Sequence, residues 1–403
     1  MPPLNIMNQV DIIKNGTAEL ISEDELRKKL SANRSLIVKY GADPSAPDLH
    51  LGHYVCLRKL KELQDLGHTI VFIIGDFTAQ IGDPSGRNKT RKMLTTEQTI
   101  ENSKTYMKQV YQILDCKKTV VRNNSEWLQD LNLRDIADIA SRYTVARMLE
   151  RDDFEKRFKN QQPISILEFL YPLLVAYDSV VVKADIEIGG TDQKFNLLAG
   201  RHMQQEYDVA QQIVITMPIL PGLDGVRKMS KSLGNYIAFN DSPEEMYGKT
   251  MSIPDSVIDE YFNLLLGYNE SKIYEVKEKI NKDSGDNPKF VKEYLAREII
   301  KIFYDETSAL EGEKHFRKVV QRKEIPDDIL SFKVENGVWI VKILTENKLV
   351  SSSSDGRRMI KQNAVRIDNK IIDKVDYNID FKNKNEMILK VGKRKFLRLI
   401  KDN

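Results

Sequence analysis

Apolar and polar positions follow two alternating periods through the first half of the chain. Leu36–Tyr40 (LIVKY), Ile70–Gly75 (IVFIIG), a short run ending at Val120, Ser179–Val182 (SVVV) and Ile213–Thr216 (IVIT) are near-continuous apolar runs of strand length. Between them, residues 49–65, 96–114, 135–150, 164–175 and 192–205 carry apolar side chains at helical spacing. Strands apolar on both faces that alternate with helices predict an α/β fold with a parallel sheet covered on both sides. In such sheets ligands collect beyond the carboxyl ends of the strands.

After Phe239 the strand pattern stops. Residues 243–250, 256–267, 271–281, 288–304 and 309–321 have helical spacing with charged faces, which predicts an all-helical unit. The pattern breaks over residues 324–336, a candidate linker. A small α+β unit follows: helices at 338–347 and 355–362, with Ser354 as the expected cap of the second, and strands near 365–368, 387–391 and 394–399.

Composition narrows the function classes. Of 403 residues, 41% are hydrophobic and 30% charged, which fits a globular protein rather than a disordered chain. No apolar stretch approaches the ~20 residues of a membrane span. The first residues lack a basic region followed by an apolar one, so no secretion signal is expected. Two cysteines, Cys56 and Cys116, are too few for a disulfide framework or a Cys-rich zinc site, and a reducing cytoplasm is the simplest expectation. Charge is uneven: residues 339–403 hold 16 Lys+Arg against 8 Asp+Glu, leaving the rest net acidic. A basic tail suits a polyanion, or is a solvated surface in a Lys-rich chain.

Two short segments carry candidate chemistry. Lys39-Tyr40-Gly41-Ala42-Asp43 runs from a strand into a Pro-rich loop, and His50-Leu51-Gly52-His53 opens the next helix. Residues three apart share a helix face, and a helix N-terminus favours phosphate. Two imidazole N–H donors aimed one way could hold a nucleotide's phosphates, with Gly52 admitting a flat base against the backbone. A purely structural pair of histidines is the alternative. A metal reading adds Cys56, but that spacing drifts around the helix and brings no fourth ligand. The second segment, Lys228-Met229-Ser230-Lys231-Ser232, sits in a Gly-flanked loop. Its ammonium groups and hydroxyls suit a triphosphate whose charge moves onto leaving pyrophosphate, although such loops are often only solvated surface.

Together and in this order the two segments resemble the HIGH and KMSKS motifs of class I aminoacyl-tRNA synthetases. Four further stretches, Gly75–Arg91, Tyr143–Phe154, Leu170–Asp178 and Ile188–Gln193, look like bacterial tyrosyl-tRNA synthetases with an intact KMSKS loop. The resemblance covers nearly the whole chain. It implies a Rossmann-like catalytic domain over residues 1–225 with a helical insertion at about 115–180. It further implies a KMSKS loop and helical anticodon-side domain over 226–325, and an alpha-L RNA-binding domain over 337–403.

Residue roles follow from the resemblance, position by position. His50 and His53 contact the ATP phosphates, Lys228 and Lys231 close over pyrophosphate, and Arg87 and Arg91 assist from another loop. Gly41, Asp43, Gly52, Asp192, Met229, Ser230 and Ser232 border ATP or the adenylate. Asp83, Tyr171 and Gln193 surround the tyrosine ammonium and carboxyl, and Asp178 accepts the phenol proton. Arg357, Arg358, Lys361, Lys393, Arg394 and Lys395 track the tRNA backbone. The implied partners are L-tyrosine, tRNA, ATP with Mg2+ and a second subunit joined through the insertion; no protein-ligated metal is implied.

Two positions depart from the commoner pattern. Lys39 stands where many relatives carry Tyr beside the phenol; it could donate to the phenol oxygen. Val175 stands where a glutamine near the tyrosine ammonium is usual, and Gln80 is a candidate to compensate. These departures keep another aromatic substrate in view, and a catalytically idle RNA-binding relative is the reading from a different class. Phenylalanine in a site built on Asp178 would leave a buried carboxylate unpaired, at a cost. Val175→Gln is expected to leave KM for tyrosine unchanged or lower it; a large rise would show a pocket built differently.

Overall fold

The computed structural model describes residues 5–44, 48–82, 96–284, 287–318, 329–368, 370–382, 384–392 and 395–402. Short apolar runs form six strands: β1 Glu19–Ile21, β2 Ile37–Ala42, β3 Thr69–Ile74, β4 Thr119–Asn123, β5 Ile186–Gly190 and β6 Ile213–Met217. They make one sheet of order β1-β6-β5-β2-β3-β4. β2 to β6 pair in parallel, and β1 adds an antiparallel edge on β6. From β2 the chain winds outward through β3 and β4, then returns to lay β5 and β6 on the other flank of β2. The reversal puts a crevice at the carboxyl ends of β2 and β5, where such sheets bind ligands. Both faces are covered, so Val38, Lys39 and Tyr40 on β2 are all buried.

The Ser179–Val182 run is not a strand. It completes a helix, Ile166–Val182, which ends where Lys183 turns left-handed at φ 50°. An apolar run of four residues cannot separate a strand from a buried helical turn. The strand is instead β5, whose sequence IEIGG hides behind a glutamate and two glycines. Gln204 ties the helix end down by donating to the carbonyls of Ser179 (3.2 Å) and Ala184 (2.9 Å). The expected helix 135–150 is likewise two, Leu133–Ser141 and Val145–Met148.

Later helices span Ile258–Leu266, Glu270–Ser284, Pro288–Phe303 and Glu306–Phe316. By its contacts the chain divides into two units, residues 1–242 with 249–305, and residues 243–248 with 306–403. The second unit has its own apolar core, including Ile340, Leu344, Ile360, Phe381, Leu389 and Leu399, against a sheet of order β7-β11-β10-β8-β9. These strands are β7 Ser331–Val334, β8 Val365–Ile367, β9 Lys370–Ile371, β10 Glu386–Val391 and β11 Lys395–Lys401. The candidate linker therefore contains a strand: β7 pairs in parallel with β11. The helix Ser353–Lys361 is capped by Ser352, not Ser354, because the Ser352 hydroxyl accepts from the Asp355 N–H at 3.2 Å. No helix among the described residues is long and apolar enough to cross a membrane.

Candidate active site

β2 delivers Gly41 and Asp43 to the crevice, and the helix Leu51–Asp65 starts beside them. His50 is its N-cap. The Nδ1 of His50 accepts from the Gly52 N–H, and the Nδ1 of His53 accepts from the His50 N–H, each at 3.2 Å. With both Nδ1 atoms accepting, each neutral ring carries its proton on Nε2. The rings lie 4.0 Å apart. Burial, then the nearby His53, Lys231 and Lys228, pushes His50 down to about 2. Burial and the same two lysines push His53 down to about 4. At neutral pH the pair is uncharged and offers two N–H donors. The Leu51 N–H is taken by the Ile237 carbonyl at 3.0 Å. The first N–H groups of the helix are thus used internally, and the imidazoles are what remains for an anion. Gly52 is needed for this cap, since a Cβ there would sit 2.9 Å from His50 Cε1.

The second signature is held against the first by backbone pairing. Leu51 N–H donates to Ile237 and Phe239 N–H donates to Leu49, both at 3.0 Å, and His50 bridges Ala238. The loop before it is pinned by Asn235, which accepts from the Ser230 N–H at 2.9 Å and donates to the Lys228 carbonyl at 3.2 Å. Asp224 caps the turn through the Val226 and Arg227 N–H groups, and these bonds hold its carboxyl down to about 2. Met229 is buried, and the Ser230 and Ser232 hydroxyls lie 2.9 Å apart. Lys228 pairs with Asp192 at 3.1 Å. The Lys231 ammonium is buried with no hydrogen-bond partner among the described residues; its nearest carboxylate, Asp48, is 3.6 Å away. Burial lowers its proton affinity, and a phosphate oxygen would relieve it.

Beside these groups lies a cavity of about 210 Å³. His53, Gly41, Asp43, Tyr171, Val175, Asp178 and Gln193 all line it, so residues far apart in the chain meet. Asp43 accepts from Tyr171 Oη at 3.0 Å and from Thr78 Oγ1 at 2.8 Å. Gly75 must lack a Cβ, which would fall 2.0 Å from Asp43 Oδ1. Gln193 turns back to accept from the Gly190 N–H at 3.0 Å. At the deep end Asp178, 2% exposed, accepts from Trp127 Nε1 at 2.9 Å and from Asn124 Nδ2 at 3.4 Å. Burial raises its carboxyl to about 7 against the opposing pull of Lys39 and these bonds.

Lys39 is not poised to meet a phenol. It is fully buried, and its three protons are committed to the Val175 carbonyl (3.0 Å), Ser179 Oγ (2.7 Å) and Glu187 Oε1 (2.7 Å). Gln80 donates to the Asp76 carbonyl at 3.2 Å and is not part of the cavity wall. Asp83, Arg87 and Arg91 lie outside the described residues. Sequence reasoning missed Thr78, Asn124, Trp127, Glu187 and Asn196. Asn124 and Trp127 directly follow β4, and the rule that ligands collect at strand ends could have found them. Asn196 Oδ1, buried in the cavity wall, has no hydrogen-bond partner among the described residues. No group of three or more His, Cys, Asp or Glu side chains among the described residues is placed to hold a metal.

In the second unit Arg357, Arg358, Lys361 and Lys395 are exposed. Arg357 lies over the Trp339 ring at 5.4 Å, Arg358 pairs with Asp355 at 2.5 Å, and Lys395 donates to the Leu349 carbonyl at 2.7 Å. Lys393 and Arg394 fall outside the described residues.

Residues 31–321 match the family described as tRNA synthetases class I (W and Y), and residues 321–399 match the tyrosine–tRNA ligase SYY-like C-terminal domain. The chain is 54% identical to the tyrosine–tRNA ligase of Thermotoga maritima over 391 residues, 97% of each chain. It is 50% identical to tyrosine–tRNA ligase 2 of Clostridium acetobutylicum, covering 98% of this chain and 99% of that one. Among solved structures, the tyrosyl-tRNA synthetase of Archaeoglobus fulgidus complexed with L-tyrosine shares the fold, with a TM-score of 0.62 at 23% identity over 77% of this chain and 99% of that chain. Signatures, sheet order and sequence kinship agree, and the chain belongs to the tyrosine–tRNA ligases, within the class I tRNA synthetases.

Proposed function

We propose that the protein activates L-tyrosine with ATP, releasing pyrophosphate, and transfers the tyrosyl group from the adenylate to the 3′ end of tRNA. The observation that carries the site assignment is the gathering of two neutral imidazole donors and two lysines beside a cavity that ends in Asp178. The tyrosine carboxylate attacks the α-phosphorus directly, so no protein nucleophile is needed and positioning with charge stabilisation does the work. His50 and His53 donate Nε2–H to phosphate oxygens, and Lys228 and Lys231 neutralise the charge that builds on pyrophosphate. Magnesium enters with ATP as part of the substrate.

Asp43 and Gln193 face the amino-acid end of the cavity and the adenylate beside it, while Asp192 exchanges its Lys228 contact for ribose. Asp178 accepts a hydrogen bond from the phenol: it already accepts from Trp127 and Asn124 and retains lone pairs. Val175 lines the wall between them. Arg87 and Arg91 stay in the proposal on the family pattern alone. A homodimer is part of the same reading. Leu133, Val145, Phe158 and Ile166, all exposed in or beside the 115–180 segment, suit a second copy of the chain. The exposed basic side chains of the second unit suit the tRNA backbone, and the reading puts the protein in the cytoplasm, with ATP and tRNA.

ATP–pyrophosphate exchange across a panel of amino acids tests activation: exchange with tyrosine alone is expected, and none with any amino acid would favour an RNA binder. Asp178 sets a pH signature. A carboxyl raised to about 7 is the ionised acceptor only above that pH, so KM for tyrosine should fall as pH rises through about 7. The histidines, held at about 2 and about 4, do not titrate in that range. Asp178→Asn should remove the dependence. Deleting residues 339–403 should spare exchange and cripple tRNA charging, because the core of that unit is drawn from residues 332–399; equal loss of both steps would contradict the assignment.

A further inference from the structure

Beneath the tyrosine end of the cavity lies a charged network that the reaction itself does not use. Lys39 on β2 and Glu187 on β5 are register partners, so their side chains leave the same face of the sheet. Both are buried, at 0% and 3% exposure, and form an ion pair of 2.7 Å. The remaining lysine protons go to the Val175 carbonyl and Ser179 Oγ, one turn of the helix Ile166–Val182. Glu187 is equally occupied: its second oxygen accepts from Ser179 Oγ at 3.1 Å and from Gln212 Nε2. Gln212 is joined in turn to Gln204 through its N–H at 2.6 Å. Asp178 sits in the gripped turn, between Val175 and Ser179, and Glu187, Val175 and Asp178 all line the cavity.

Counting donors and acceptors divides the labour. An ammonium has three protons, and all three of Lys39 are placed. Glu187 receives three donors, while Asp178 receives two and lines the open cavity. The phenol therefore has its acceptor in Asp178, and Glu187 serves the lysine.

We propose that the buried Lys39–Glu187 pair is a specificity-determining positioning device: it straps the helical turn that carries Asp178 to strands β2 and β5, and so fixes where the phenol of the substrate must end. The strap acts on the aromatic end of the amino acid and not on ATP, whose partners are the imidazoles and the lysines of the two signatures. Within the pair, the Lys39 ammonium opposes the cost of ionising Asp178, while Glu187 acts the other way. The inference rests on tyrosine being the amino acid activated.

The test measures tyrosine-dependent and phenylalanine-dependent exchange together with thermal melting. Lys39→Met alone leaves Glu187 charged and unpaired in the interior, which lowers stability and mixes two effects. The informative protein is the double variant Lys39→Met/Glu187→Gln, which removes both charges and leaves an amide oxygen able to accept from Ser179. Expected are a melting temperature recovered toward wild type, a KM for ATP unchanged, a KM for tyrosine raised about tenfold, and a reduced preference for tyrosine over phenylalanine. A double variant with wild-type KM for tyrosine and undiminished preference would overturn the proposal. So would a double variant that folds no better than Lys39→Met, since the pair would then be structural support for the whole sheet. If the unmodified enzyme exchanges no pyrophosphate with tyrosine, the substrate assignment fails instead, and the two failures are distinguishable.

Discussion

The arrangement depends on one stretch of backbone pairing. Residues 49–51, at the mouth of the first signature, exchange hydrogen bonds with residues 237–239, just beyond the second. Without it, nothing in either segment obliges them to meet, since most of the sheet and several helices intervene along the chain. With it, Lys228 and Lys231 are close enough for their charges to act on both imidazoles. Burial first, and the like charge of the two lysines after it, keeps both rings neutral. The result is a site with two cations and two uncharged donors, suited to a polyanion whose charge shifts during reaction. The Lys231 ammonium, held at 3.6 Å by Asp48, is where a phosphate oxygen would complete the set.

The amino-acid end follows a different logic. There the problem is to hold a buried carboxylate in the cavity wall without losing its charge. Asp178 is raised to about 7 by burial, and the nearby Lys39, the indole of Trp127 and the amide of Asn124 oppose that shift. A group so balanced is sensitive to small displacements of its neighbours. A rigid foundation under its helix turn is therefore worth the burial of an ion pair, whose net contribution to stability is small.

Much of this is legible in the sequence, unevenly. The strands LIVKY, IVFIIG and IVIT, the two signatures and the basic tail are visible because each is a local pattern, and the two signatures gain a single reading only when taken together and in order. The run Ser179–Val182 misleads because burial inside a helix looks the same as burial inside a sheet. β5 is hidden because Glu187 breaks an apolar run, and only the structure shows that Lys39 neutralises it. His50 and His53 are readable as donors, but not the tautomer: that follows from each Nδ1 accepting a backbone N–H. The expected phenol donor role of Lys39 does not survive a count of its three protons. Trp127 and Asn124 escape notice because their role depends on Asp178, which reaches them from the helix Ile166–Val182. Asp83, Arg87 and Arg91 rest on the family pattern alone.

The central claim is that the imidazoles and the lysines act on the same triphosphate. The direct measurement is a double-mutant cycle on the single-turnover rate of tyrosyl-adenylate formation, with His53→Ala, Lys231→Ala and the pair. Groups acting on one phosphate chain should be coupled, the double variant departing from the product of the single losses by about 1 kcal/mol or more. Losses that multiply to within about 0.5 kcal/mol would place the two groups in independent roles and contradict the account.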